Sequence, residues 1–140
     1  MGISGVLGYL REILPHEGAQ MTAHTIGRNR ERAIGVFARE GRAARQTAIG
    51  GCENRSFEVV RVTLLLRWGR DGDVAATKGL EIYEILAERD GIDFDGRVGF
   101  VRAVNAGPVW LGMDERGIFE FVIDFDVYIE KEEKNGISGK

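Results

Sequence analysis

The stretch LGMDERGIFEFVIDFDVYIE, residues 111–130, sets the architecture. After an acidic turn, Phe119, Phe121, Ile123, Phe125, Val127 and Ile129 alternate with a largely polar set, Glu120, Asp124, Asp126, Tyr128 and Glu130. Successive side chains of a strand point to opposite faces, so this alternation predicts a long strand with one wet face. The stretch holds no nucleophile, general base or metal cage, and function has to be sought elsewhere.

A second run of this kind lies at residues 57–68, where Val60, Val62, Leu64, Leu66 and Trp68 share one face and Arg61, Thr63 and Arg67 the other. Its β-branched and aromatic content predicts a central strand. Shorter alternations predict strands at residues 32–39 (Ile34, Val36, Ala38) and 97–104 (Val98, Phe100, Val104). Ile3, Val6, Leu7, Leu10, Ile13 and Leu14 recur at helical spacing, predicting an amphipathic helix over residues 4–14, capped by Ser4 and stopped by Pro15. A second helix is expected over residues 74–89, with Ala75, Gly79, Ile82, Tyr83 and Leu86 forming its apolar stripe and Asp71 or Asp73 capping it. Residues 15–29 and 90–96 read as a loop and a turn, and Ala106, Gly107 and Pro108 as the start of a connection to the last strand.

The sum is an α+β two-layer sandwich: roughly four strands, mixed or antiparallel, with two helices on one face. Its 140 residues fit one domain, taken as residues 1–131, with the charged KEEKNGISGK end supplying a mobile tail over 132–140. An apolar fraction of 44% beside 29% charged residues argues against global disorder. The segment 40–55, with Gly41, Gly50 and Gly51, reads as a long exposed loop of the kind that docks partners, with Gly50, Gly51, Glu53 and Asn54 as its contact residues.

Chemistry-bearing residues are sparse. His16 and His24 stand eight apart without ligand spacing, and Cys52 is the chain's single cysteine, so no intramolecular disulfide can form and a reducing compartment fits. There is no GxxxxGK[ST] phosphate loop, no apolar run of membrane-spanning length and no secretion signal. No enzyme activity, cofactor or metal is expected. Charge, by contrast, is segregated. Residues 28–45 carry six arginines against Glu31 and Glu40, a local +4, while residues 111–133 carry eight acids against Arg116 and Lys131, a local −6.

Three segments then acquire a joint meaning: AIGGCEN (48–54), VTLLLRWGRDGDVAATKGLEIYEIL (62–86) and VWLGMDERGIFEFVIDFDVYIEK (109–131). Together, in this order, they resemble the minor capsid and tail-terminator proteins of long-tailed bacteriophages and prophages. The resemblance implies a non-catalytic virion protein, made in the host bacterial cytoplasm, that forms a ring, commonly of six subunits. Such a ring caps the tail tube protein and joins it to the head-tail connector, with DNA passing through its lumen unread. A head-completion or connector-adaptor protein is the nearest alternative, and a small ligand-binding α+β domain a more distant one. Cyclic rings use heterologous contacts, which complementary charge blocks suit. Arg39, Arg42 and Arg45 are therefore expected to face Asp114, Glu115 or Glu120 across a subunit boundary.

Overall fold

In the computed structural model, residues 2–39, 57–94 and 96–130 are described. The elements in chain order are α1 (Ile3–Ile13), β1 (Gln20–Ala23), β2 (Arg32–Ala38), β3 (Phe57–Trp68), α2 (Gly72–Leu86), β4 (Glu88–Phe94), β5 (Arg97–Ala103), β6 (Val109–Met113) and β7 (Phe119–Glu130). The expected loop 40–55 and tail 132–140 lie outside the described residues.

The two alternating stretches pair with each other. β3 and β7 run antiparallel over their whole length, from Phe57 opposite Glu130 to Arg67 opposite Glu120. This register puts Val62, Leu64 and Leu66 beside Phe125, Ile123 and Phe121 on a single face, and all six are buried. A one-residue slip would send the whole apolar set to the other side, so the pattern itself specifies the pairing. Ile34 and Val36 of β2 continue the inner face on one flank and Val101 of β5 on the other. Ile3, Val6, Leu7 and Leu10 of α1 and Ala75, Ile82 and Leu86 of α2 close over it, forming one core.

The class α+β holds, but the four-stranded sheet does not. Among the described residues the sheet has seven strands in the order β1-β2-β3-β7-β5-β4, with β6 also on β7, and it is mixed because β1 lies parallel to β2. Three strands escaped the sequence reading, each for a local reason. β1 is four residues long, too short to display a period. β4 was expected to be helix end and turn; its ladder is irregular between Arg89 and Ile92, where Gly91 has φ +64°, so alternation is lost. β6, expected as part of a connection, pairs with β7 across a tight turn at 114–118. Since β3 occupies one side of β7, β5 and β6 share the other, end to end.

Helix ends also differ. α1 begins ahead of Ser4, with Gly2 at the N-cap and no side-chain cap, and it stops at Ile13 because Leu14, preceding Pro15, is extended. α2 begins at Gly72, where the Asp71 carboxylate accepts from the amides of Asp73 and Val74 at 3.0 and 3.2 Å.

Among the described residues, the outer face of the sheet has no helix. At one end it is covered instead by two irregular segments, 24–31 and 114–118, which bury Ile26 and Ile118 apart from the main core. Gly35 of β2 makes room for the first: a Cβ there would lie 2.8 Å from the Thr25 carbonyl oxygen and 3.0 Å from the Ile26 Cβ.

Candidate functional site

Beneath those two segments lies Arg67, 1% exposed, the one buried charged side chain among the described residues. It sits near the end of β3 and points to the outer face. Its Nη1 donates to Glu120 Oε2, directly across the strands, at 2.6 Å, and its Nη2 to Asp114 Oδ2 at 2.9 Å and the Arg28 carbonyl at 3.4 Å. Nε has no hydrogen-bond partner among the described residues. One guanidinium thus joins two strands, the 114–118 turn and the 24–31 segment, the planar fork of arginine being suited to several acceptors at once.

Asp114 organises the turn from the other side. Its Oδ1 accepts the amides of Arg116 and Ile118 at 2.8 and 3.0 Å, and its own amide donates to the Ile118 carbonyl at 3.0 Å. Hydrogen bonding to the ionised form favours it. The Ile118 amide, helped by the Arg116 amide and by Arg67 and opposed by burial, lowers the Asp114 carboxyl from 3.8 to about 2. A depressed carboxylate contributes stability that is present above its unfolded pKa and lost as pH falls through the folded one. Wild-type protein is therefore expected to be more stable than Asp114→Asn at neutral pH, with the gap closing as pH drops from 3.8 through about 2. Urea titrations at stepped pH measure this; a gap independent of pH would contradict it.

Further along the outer face, Arg39 pairs with Asp126, donates to the Val62 carbonyl at 2.9 Å, and lies 4.0 Å from Asp124. Thr63 donates to Asp124 at 2.6 Å. At the end remote from Arg67, Phe100 stacks on Tyr128 with centroids 4.7 Å apart and meets Phe57 edge-on, while the Arg102 guanidinium lies over the Phe100 ring.

Of the residues expected at a subunit boundary, Asp114 and Glu120 thus converge on Arg67, and Arg39 is engaged with Asp126, all within one chain. Glu115 is exposed. Arg42, Arg45, Gly50, Gly51, Glu53 and Asn54 lie outside the described residues. Sequence reasoning placed Arg67 on the correct face but missed its burial; the available signal was a lone arginine inside LLLRW.

The turn also fixes β6. Val109, Trp110, Leu111 and Met113 are 42%, 59%, 56% and 58% exposed, an uncharged apolar strand with no further strand beside it among the described residues. Trp110 leans on Phe119, with centroids 6.5 Å apart. Elsewhere, an open cleft of about 620 Å³ lies between the start of α1 and strands β2 and β3, bordered by His24, Arg39, Glu58 and Arg61. Among the described residues no group of three or more His, Cys, Asp or Glu could hold a metal ion, and no helix is long and apolar enough to cross a membrane.

No protein-family model matches the chain, and no curated protein matches it.

Proposed function

We propose that this protein is a virion assembly component of the tail-terminator kind, a ring-forming chain that caps a phage tail tube and meets the head-tail connector. The observation that carries this reading is the apolar strand β6, held at a free edge by the Arg67–Asp114–Glu120 triad. Contiguous exposed apolar surface of this sort favours protein contact. The triad also links two of the segments on which the phage resemblance rests: Arg67 belongs to residues 62–86, Asp114 and Glu120 to residues 109–131.

The head-to-tail contact of such a ring has Glu115 as its free acidic member, since Arg39, Asp114 and Glu120 are already engaged within the chain, and Arg42 and Arg45 as its basic members. Charge reversal tests it. Arg42→Glu or Glu115→Arg alone is expected to shift the ring toward smaller species in sedimentation, and the two together to restore it. Single exposed pairs contribute about 0–1 kcal/mol, so the effect is on orientation and registry more than on bulk affinity. Solution mass and electron microscopy of the purified protein test the ring itself, and deletion of the gene in a producing phage should yield tails of uncontrolled length. Uniform, head-joined tails without the protein would end the proposal.

The cleft bordered by Arg39, Arg61 and His24 favours a second reading, a small-molecule binder. A stoichiometric ligand retained in native mass spectrometry would support that reading over the assembly one.

A further inference from the structure

The segment 24–31 crosses the outer face above Arg67, and little of it is anchored. His24, Thr25, Arg28, Asn29, Arg30 and Glu31 are exposed, and Ile26, outside the main core, is its one buried side chain. Among the described residues, its backbone bonds to the rest of the chain lie at its two ends: the His24 amide donates to the Val36 carbonyl at 2.8 Å, and the Glu31 carbonyl accepts from the Gly69 amide at 2.7 Å. Between them, Thr22 Oγ1 donates to the Thr25 carbonyl at 2.9 Å, and the Arg28 carbonyl accepts from Arg116 at 3.1 Å and from Arg67 at 3.4 Å. The Glu31 carboxylate pairs with Arg70, but both side chains are more than half exposed, where an ion pair contributes little. His24, at φ +68°, holds a backbone conformation that residues with a Cβ rarely adopt.

Closing this segment over the sheet has opposed effects. It buries Ile26, but it also withdraws Arg67 from water while Nε finds no hydrogen-bond partner among the described residues. The two carboxylates that balance the guanidinium come from β7 and the 114–118 turn, so neither depends on the segment. We infer that residues 24–31 form a strap that opens as a unit, between hinges at its two ends, while the sheet stays folded, and so exposes the Arg67 guanidinium on the outer face. Two ties hold the strap shut, the Ile26 side chain and the Arg28 carbonyl. Segments with few buried apolar contacts open locally at a lower free energy than the whole domain unfolds. When the strap is open, water screens the attraction of Arg67 for Asp114 and Glu120. The strap is in this way coupled to the turn that follows β6.

The strap rests on the burial of Arg67 and not on the virion assignment, and it holds for a ring or a monomer alike. In a Cys52→Ser background, which removes the chain's single native thiol, Ile26→Cys and Ile34→Cys place one buried thiol in the strap and one in the inner-face core. Under native conditions the thiol at 26 is expected to react with a thiol reagent faster than the one at 34 by about tenfold or more, and with a weaker dependence on urea, the mark of an opening smaller than global unfolding. Arg116→Ala, at an exposed position, removes one donor to the Arg28 carbonyl. It should speed labelling at 26 by about two- to tenfold, the worth of one hydrogen bond, and leave labelling at 34 unchanged. Amide exchange of the wild-type chain needs no substitution: the His24 and Gly69 amides, whose acceptors mark the two ends of the strap, should exchange faster than the amides between β3 and β7. Labelling at 26 that matches 34 in rate and urea dependence, or His24 and Gly69 amides that exchange only with global unfolding, would overturn the strap. Unchanged labelling at 26 in Arg116→Ala would overturn the Arg28 carbonyl as its tie.

Discussion

Replacing Arg67 with alanine is expected to lower the unfolding free energy by about 3–5 kcal/mol, the usual result of removing one partner from a buried charge cluster. The side chain is 1% exposed and faces Asp114 and Glu120, which are themselves only 22% and 18% exposed, so water replaces the lost guanidinium poorly. Arg67→Lys should recover part of the loss and no more, because a single ammonium cannot span both carboxylates and the Arg28 carbonyl as the fork does. In a cycle with Glu120→Ala, the double variant should lose less than the sum of the singles, since each single leaves the other charge stranded. Urea denaturation at neutral pH measures all four proteins. A loss below about 1 kcal/mol for Arg67→Ala would place the triad with ordinary surface pairs.

The consequence for assembly is local. Asp114 holds the turn that follows β6, so an Arg67 variant that remains folded should present the β6 edge less rigidly. Self-association should therefore weaken even though Arg67 itself is inaccessible to a partner.

Phe125→Ala is expected to cost a comparable amount, about 3–5 kcal/mol, through lost apolar burial and the cavity left behind. Phe125 is fully buried and is flanked by Val62 on β3 and Ala103 on β5, in the middle of the inner face. Its neighbour Asp124 points the opposite way, with its side chain 26% exposed and bonded to Thr63. Asp124→Ala should cost only about 1 kcal/mol, the net worth of one partly exposed hydrogen bond. A steep loss at 125 beside a shallow one at 124 in the same denaturation series would show that the face assignment of β7 governs its energetics. Equal losses would refute it.

The period-2 runs of β3 and β7 and the helical stripes of α1 and α2 could be read from the chain because each is a local, repeated pattern long enough to exceed chance. They identify the apolar core residues, the two-helix cover and the α+β class before any contact is known. The edge strands β1, β4 and β6 could not be read in this way. They are short or irregular, and what makes them strands is a partner elsewhere: β1 is ordered by β2, and β6 by a strand beyond a turn. The tail-terminator resemblance likewise marked the segments around Arg67 and Asp114 without indicating that they meet.

Periodicity along the chain, then, was enough to say which residues of each long element turn inward, because hydrophobic burial acts on every turn or pleat in the same sense. The strand count, the sharing of one β7 edge by β5 and β6, and the burial of Arg67 arose from contacts between distant positions: Arg67 meets carboxylates 47 and 53 residues away. A charge is buried or solvated according to what folds over it, and that covering is a property of the assembled sheet and its loops, which the apolar residues around Arg67 do not specify.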